Sequence, residues 1–317
     1  MSTRTLKVLL PANIELAIAE MPEVEFVAYD PAAPVAEPHL DAEVLVAWGN
    51  PDHHLREAAE RMPALRLVQS LAAGTDAVVA AGFAAEVTIA SGAGLHNRPV
   101  AEHALALVLA AARSLHSGVR AQIEHRWAGE LGGVQPEPSP GRFSTLRGAR
   151  VLIWGHGGIA RTLAPHLTAL GASVTGVARS ARETEGVRVI AVDDIDAELG
   201  RTDVLIDILP ATDETRHAVD ARVLAQLPRH AWLVNVGRGA TVDEAALLAA
   251  LREGRIAGAA LDVVSQEPLP PDSPLWDEPS IIITPHAAGG RPLGAAELIA
   301  HNVRALLDGT PLRNVVR

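Results

Sequence analysis

Short runs of Val, Ile and Leu recur along the whole chain, separated by amphipathic segments rich in Ala and Leu, and this alternation constrains the fold more than any other feature. A short unbroken apolar run marks a strand buried on both faces, and such a strand needs helices above and below it. The pattern therefore predicts an α/β architecture built on parallel sheets. A first series of strands is expected at 6–10, 25–29, 44–48, 67–70 and 87–90, and a second at 151–154, 173–178, 204–209, 232–236, 257–262 and 281–284. Between them a single long helical pattern runs from Pro99 to Trp127, with Pro99 in the first turn, where a missing N–H costs little. Residues 132–141, with Pro136, Pro138 and Pro140, break the chain before the second series. A last helix is expected over 292–307, ending near Gly309 and Pro311 and leaving a tail to return to the first domain.

Composition removes several chemistries. With no cysteine, disulfides, thiolate zinc sites and cysteine nucleophiles are excluded. The 317 residues carry a net charge of −11 without a cluster of Lys and Arg, which argues against a nucleic-acid surface. The apolar stretch 100–112 contains Glu102 and His103 and is too short to span a bilayer, and 1–11 lacks the pattern of an export signal, so no membrane partner and a cytoplasmic location are expected. No histidine pair has a convincing ligand arrangement, and the adjacent His53 and His54 are expected to point apart, so no metal is expected.

The strand at 151–154 runs into Gly155-His156-Gly157-Gly158-Ile159-Ala160, a G-x-G-x-x-A turn that opens a helix. Glycines there permit a tight turn and let backbone N–H groups approach a pyrophosphate at the helix N-terminus, where the dipole favours negative charge. A lone motif of this kind also serves packing, but a strand before it, a helix after it and a second strand about twenty residues on are the context a dinucleotide site requires. That second strand ends at Ala178-Arg179-Ser180, with no Asp or Glu to receive ribose hydroxyls. Arg179 offers a planar cation for a 2′-phosphate and Ser180 a hydroxyl, which favours NADP(H) while leaving NAD(H) possible. The alternative for Arg179 is a solvated surface arginine.

From here the chain resembles the D-isomer-specific 2-hydroxyacid dehydrogenases. The matching motifs are 155–160, Leu209-Pro210 with Thr212 and Thr215, 234–239 (Val-Asn-Val-Gly-Arg-Gly), 260–263 (Ala-Leu-Asp-Val), 267–270 (Glu-Pro-Leu-Pro) and Thr284-Pro285-His286. In the first half, 72–76 (Ala-Ala-Gly-Thr-Asp) and 100–103 (Val-Ala-Glu-His) extend the likeness, which closes with 309–316. The resemblance implies two Rossmann-like or flavodoxin-like domains with an active-site cleft between them, residues 1–98 with 291–317 binding substrate and 99–290 binding the dinucleotide.

It also implies roles. His286 is expected to protonate the carbonyl oxygen, Glu267 to hold His286, and Arg238 to hold and polarise the substrate. A carboxylate beside imidazole favours the protonated ring and fixes its orientation, and a fixed arginine clamps a carboxylate. The cofactor surface is expected to include Gly155, Gly157, Gly158, Ile159, Arg179, Ser180, Leu209, Pro210, Thr215, Val236, Gly237, Asp262 and Gly289. Asp262 either receives the nicotinamide carboxamide or caps the next turn. Ala73 and Gly74 are expected to cradle the substrate carboxylate through backbone amides, with Trp48 and Arg291 lining the pocket; for those two a core tryptophan and a helix-start arginine are equal alternatives.

Residues 47–51 and 268–276, with Arg291-Pro292, look most like the glyoxylate/hydroxypyruvate reductase branch, whose members reduce small 2-oxo acids and often favour NADPH. A dehydrogenase of another acid, such as phosphoglycerate, and a nucleotide-sensing, corepressor-like binding protein stay open. Three positions depart from the family pattern: Ala160 for a third glycine, Val264 where an aromatic residue is frequent, and Arg179 for the acid. A homodimer joined through the cofactor domain and the long helix after Pro99 is the expected assembly.

Overall fold

A computed structural model describes residues 5–133 and 141–317, which form two compact units, Met1–His96 with Arg291–Arg317, and Asn97–Gly290. The chain crosses between units two residues before the expected join at 98, because the helix carrying Pro99 starts at Asn97.

The first unit is a five-stranded parallel sheet of β1 (Leu6–Pro11), β2 (Val24–Tyr29), β3 (Val44–Ala47), β4 (Leu67–Ser70) and β5 (Thr88–Ala90). The order β2-β1-β3-β4-β5 is that of flavodoxin-like folds. Strand periodicity divides the apolar side chains between two faces. Leu9, Leu45 and Val68 pack with Leu55 of α1 (Asp52–Arg61) and Val78 of α2 (Asp76–Ala80). Val8, Val44, Val46 and Leu67 pack on the other face with Leu298, Ile299 and Val303 of the C-terminal helix Ala295–Asp308. That helix starts three residues later than expected, since Gly294 precedes it at φ +84.

Beyond the helix the tail lies along β5. Ile89 N–H donates to Arg317 O at 2.8 Å, Val316 N–H to Ile89 O at 2.8 Å, and Ser91 N–H to Asn314 O at 2.8 Å. Asn302, fully buried, fixes the turn back: its amide donates to Gln69 Oε1 at 2.6 Å and Arg313 O at 3.1 Å, and its carbonyl accepts from Arg313 N–H at 2.8 Å.

The second unit opens with α3 (Asn97–Ala112) and α4 (Leu115–Ile123). The sequence predicts one helix here, but Ser114 stands at φ +50, outside the helical region, and divides it. The expected proline-rich break at 132–141 falls largely on 134–140, outside the described residues. An eight-stranded sheet follows: β6 (Arg150–Trp154), β7 (Ser173–Ala178), β8 (Arg182–Thr184), β9 (Val187–Ala191), β10 (Val204–Asp207), β11 (Trp232–Asn235), β12 (Gly258–Leu261) and β13 (Ile281–Ile283). Its order, β13-β12-β11-β10-β6-β7-β9-β8, contains the doubly wound Rossmann arrangement, with the switch between β6 and β10. All pairs are parallel except β8 with β9, a hairpin the sequence reading misses. Its two-residue turn, Glu185-Gly186, has φ +53 and +76, the primed geometry that suits hairpins.

Helices cover both faces of this sheet. Val151, Ile153, Ile206 and Val234 pack with Ala104 and Val108 of α3 and with Leu163 and Leu167 of α5 (Gly158–Ala169). Leu152, Leu205, Leu233 and Leu261 face α6 (Asp196–Leu199), α7 (Ala221–Gln226) and α8 (Glu244–Arg252), which contribute Leu199, Leu224, Leu247 and Leu251. No helix among the described residues is long and apolar enough to cross a membrane.

Replacing Asn302 with Ala is expected to leave the Arg313 N–H and the Gln69 side chain without their buried partner, at a cost of about 2–3 kcal/mol. Urea denaturation measures the loss, and amide exchange at 314–317 should rise with it.

Candidate active site

At the switch point β6 hands the chain to a turn that only glycine can make. Gly155 has φ +104, and a side chain there would come within 2.7 Å of Ile208 O beyond β10. Gly155 and His156 N–H both donate to Val177 O at 3.1 Å, which ties the turn to β7. Gly158, the first residue of α5, leaves room for the Asn97 amide, and Ala160 is fully buried against the sheet, so the alanine fits where a third glycine was expected. Gly157 is different. A Cβ on it would meet nothing within 4 Å, so the space over this residue at the helix N-terminus is open on the protein side. That open, N–H-lined approach fits a pyrophosphate. Ile159, half-buried, packs against the core below.

His156, between the glycines, is buried against Gly176 of β7, where any Cβ would strike its ring. Burial, and then Arg182 and Arg161, push its pKa down, so the ring is a neutral plug. Among the described residues neither ring nitrogen has a hydrogen-bond partner. Arg179 and Ser180 are exposed just past β7. Arg182 on β8 donates to Ser180 O at 3.4 Å and His156 O at 3.1 Å, so the unforeseen hairpin ties the arginine-bearing loop to the glycine turn.

On the other side of the switch, Leu209 N–H donates to the Asp207 carboxyl at 2.9 Å, which ends β10 two residues earlier than expected. Thr215 Oγ1 donates to Pro210 O at 2.6 Å and accepts from Thr212 N–H at 2.8 Å, closing the loop beyond. Past β11, Val236 is buried, and Gly237 N–H donates to Asn235 Oδ1 at 2.9 Å. A Cβ on Gly237 would lie 2.6 Å from Leu209 O. Three strand ends thus meet backbone to backbone.

Arg238 follows, half-buried, with Nη1 donating to Gly237 O at 2.7 Å. Gly239 packs so tightly on Val264 that no side chain fits, and Val264 N–H donates to Glu267 Oε1 at 3.1 Å. The other Glu267 oxygen, Oε2, lies 2.7 Å from His286 Nδ1. His286, after β13, takes φ +51, and its N–H donates to Asp262 O at 2.8 Å. A histidine in this left-handed region is uncommon and persists where its surroundings fix it. About half of the His286 side chain is exposed, 47%, so the ring is reachable from solvent.

Asp262 lies just past β12 and is buried. Its carboxylate accepts from Thr284 Oγ1 at 2.6 Å, Ala287 N–H at 2.8 Å and Ala288 N–H at 3.1 Å, and lies 3.2 Å from His103 Nε2. In the structure it caps the turn that presents His286. Gly289 comes directly after that turn and is half-buried.

In the first unit, Trp48, Asn50, Ser70, Ala72 and Gly74 line a pocket of about 400 Å³. Trp48 stacks on His96, with ring centroids 5.5 Å apart. Ala73 is exposed and Gly74 half-exposed at the rim of the loop after β4. The loop is pinned from behind by Gly92 N–H on Ala72 O at 2.7 Å and by His96 Nε2 on Leu71 O at 2.7 Å, two residues the sequence reading does not single out. Arg291 is exposed, ahead of the C-terminal helix.

Residues 105–288, more than half of the chain, match the family model described as D-isomer specific 2-hydroxyacid dehydrogenase, NAD binding domain. Glyoxylate/hydroxypyruvate reductase A of Salmonella newport is 40% identical over 166 residues, 52% of this chain and 53% of that protein, so the chain spans about half the length of that relative. A D-isomer specific 2-hydroxyacid dehydrogenase from Xanthobacter autotrophicus Py2, solved in complex with NADPH and MES, superposes with a TM-score of 0.80 at 32% identity, covering 99% of this chain and 98% of that one. An NADPH-dependent glyoxylate/hydroxypyruvate reductase from Sinorhizobium meliloti, in complex with NADP and sulfate, gives a TM-score of 0.80 at 26% identity and covers 98% of both chains.

Two glycine substitutions should separate ligand space from packing space. Gly157→Ala is expected to keep the wild-type Tm and to weaken dinucleotide binding at least tenfold by titration calorimetry, because only a ligand would meet the new methyl. Gly237→Ala meets Leu209 backbone and should lower Tm as well.

Proposed function

This chain belongs to the D-isomer specific 2-hydroxyacid dehydrogenase family of NAD(P)-dependent oxidoreductases, and we propose that it reduces a small 2-oxo acid of the glyoxylate or hydroxypyruvate kind to the D-2-hydroxy acid, preferring NADPH. The observation that carries the reading is the His286–Glu267 pair at 2.7 Å, presented from the carboxyl ends of β12 and β13 in the same unit as the glycine turn. Glu267 accepts from Nδ1–H, which leaves Nε2–H of the imidazolium to protonate the carbonyl oxygen. After that transfer the neutral ring keeps its Nδ1–H on Glu267. Arg238 holds the substrate carboxylate or the charge growing on the carbonyl oxygen, and the backbone amides at Ala73 and Gly74 receive the carboxylate. Trp48 and Arg291 line the substrate side in this reading. When bound, the nicotinamide supplies the hydride.

The dinucleotide would be held by Gly155, Gly157, Gly158 and Ile159 at the pyrophosphate and by Leu209, Pro210, Thr215, Val236, Gly237, Asp262 and Gly289 along its length. Exposed Arg179, with Ser180, supports the preference for a 2′-phosphate. His286→Ala is expected to retain NADPH binding and lose about 10²–10⁴-fold in kcat on glyoxylate and hydroxypyruvate. Arg179→Ala should raise the KM for NADPH about tenfold or more and leave NADH turnover near wild type, read by absorbance at saturating substrate. Unchanged NADPH kinetics in that variant would remove the role given to Arg179.

We also infer a homodimer. Leu115, Val119 and Ile123 recur every fourth residue on one face of α4 and are 56%, 54% and 74% exposed, with Trp127 beyond them at 96%. An apolar stripe of this kind is costly in water, and a two-fold related copy covers it. Ile123→Glu is expected to shift the sedimentation coefficient to that of a monomer while the fold survives; a wild-type protein that sediments as a monomer ends the inference.

A further inference from the structure

Asp207, the last residue of β10, is completely buried and plays no part in the chemistry above. Oδ1 accepts from Leu209 N–H at 2.9 Å, and Oδ2 meets Thr241 Oγ1 at 2.5 Å. The backbone carbonyl of Asp207 accepts from Val236 N–H at 3.1 Å. Thr241 Oγ1 is in turn 2.6 Å from Arg238 O, which also accepts from Asn235 Nδ2 at 3.0 Å. One carboxyl therefore touches both the loop after β10 and the loop after β11.

The count of protons decides its state. A threonine hydroxyl has one hydrogen. Thr241 Oγ1 faces two oxygens, and Arg238 O is a carbonyl that can only accept. Were Asp207 ionised, the single hydrogen would serve one contact, and the other would set two lone pairs against each other at hydrogen-bonding distance. We propose that Asp207 is a positioning residue that works as a neutral carboxylic acid, its O–H donating to Thr241 Oγ1 so that the Thr241 hydroxyl donates to Arg238 O and holds the arginine loop.

The surroundings agree. Desolvation raises the Asp207 pKa to about 7, opposed by the Thr241 hydroxyl and the Leu209 N–H. Beside it in register stand Trp154 of β6 and Asn235 of β11, neither of which titrates, and the charged end of Arg238 is turned toward Gly237 O. Among the described residues no cation acts on the carboxyl to favour its ionised form.

The assignment rests on Arg238 holding the substrate, so the test has one arm that needs no substrate. A folded-state pKa above the ordinary 3.8 makes the stabilisation full below that value and lost as pH rises through about 7. Asn at this position keeps one donor for Thr241 and one acceptor for Leu209 but does not titrate. The Tm of Asp207→Asn relative to wild type is therefore expected to climb by several degrees between about pH 5 and about pH 9. In the activity arm, the wild-type KM for glyoxylate should rise over the same interval more steeply than that of Asp207→Asn. Thr241→Val should raise KM about tenfold at every pH with a smaller effect on kcat, and Thr241→Ser should restore it. A Tm difference independent of pH overturns the neutral acid, and a Thr241→Val enzyme with wild-type KM overturns the positioning role. If the enzyme refuses glyoxylate, the reading of the substrate fails while the Tm comparison still decides the state of Asp207.

Discussion

The site depends on how closely backbone can approach backbone where β6, β10 and β11 end. Gly155 comes against Ile208 O, and Gly237 against Leu209, at distances where a methyl group has no place. Side chains at either position would push apart the three strand ends from which the glycine turn and the Arg238 loop project. Gly239 repeats the device one loop further on, letting the Arg238 segment lie directly on Val264 and so beside the Glu267 hydrogen bond. Close packing of main chain, rather than any one side-chain interaction, sets the spacing of the candidate catalytic groups.

Much of this was legible in the sequence, for identifiable reasons. Parallel strands buried on both faces read as unbroken apolar runs, so all the parallel strands but β9 were located with shifts of only a residue or two at most ends. The glycine turn was legible because its spacing is tied to strand and helix on either side. The helix break at Ser114 was not, since a serine in a left-handed conformation leaves the apolar pattern on both sides intact. The β8–β9 hairpin is hidden because β8 is three residues long, charged and largely exposed, and Arg188 interrupts the short apolar run of β9. Glu185-Gly186 was its one signal, a primed turn without the usual Asn or Asp.

The candidate site divides in the same way. Arg238, Glu267 and His286 each follow a strand end, and it is the resemblance to the family's motifs that singles them out. The groups that hold them were not. Asp207 reads in the sequence as a polar interruption inside Val-Leu-Ile-Asp-Ile-Leu, and only its burial beside Thr241 gives it meaning. Asp262 reads two ways because a single carboxylate at a strand end serves a ligand or a turn, and its backbone N–H partners at 287 and 288 are ones that no side-chain pattern reveals.

The return of the chain to the first unit has a consequence for how the protein is made. Strands β1 to β5 leave the ribosome early, but the helix that covers Val8, Val44 and Val46, and the tail that lies along β5, are encoded beyond residue 290. The second unit is continuous in sequence and can bury both of its faces as soon as it emerges. During synthesis the later unit is thus the first able to reach its native state, while the earlier sheet waits with one apolar face uncovered. A nascent chain stalled anywhere within the second unit carries that bare face, and it is the species on which chaperones and aggregation compete.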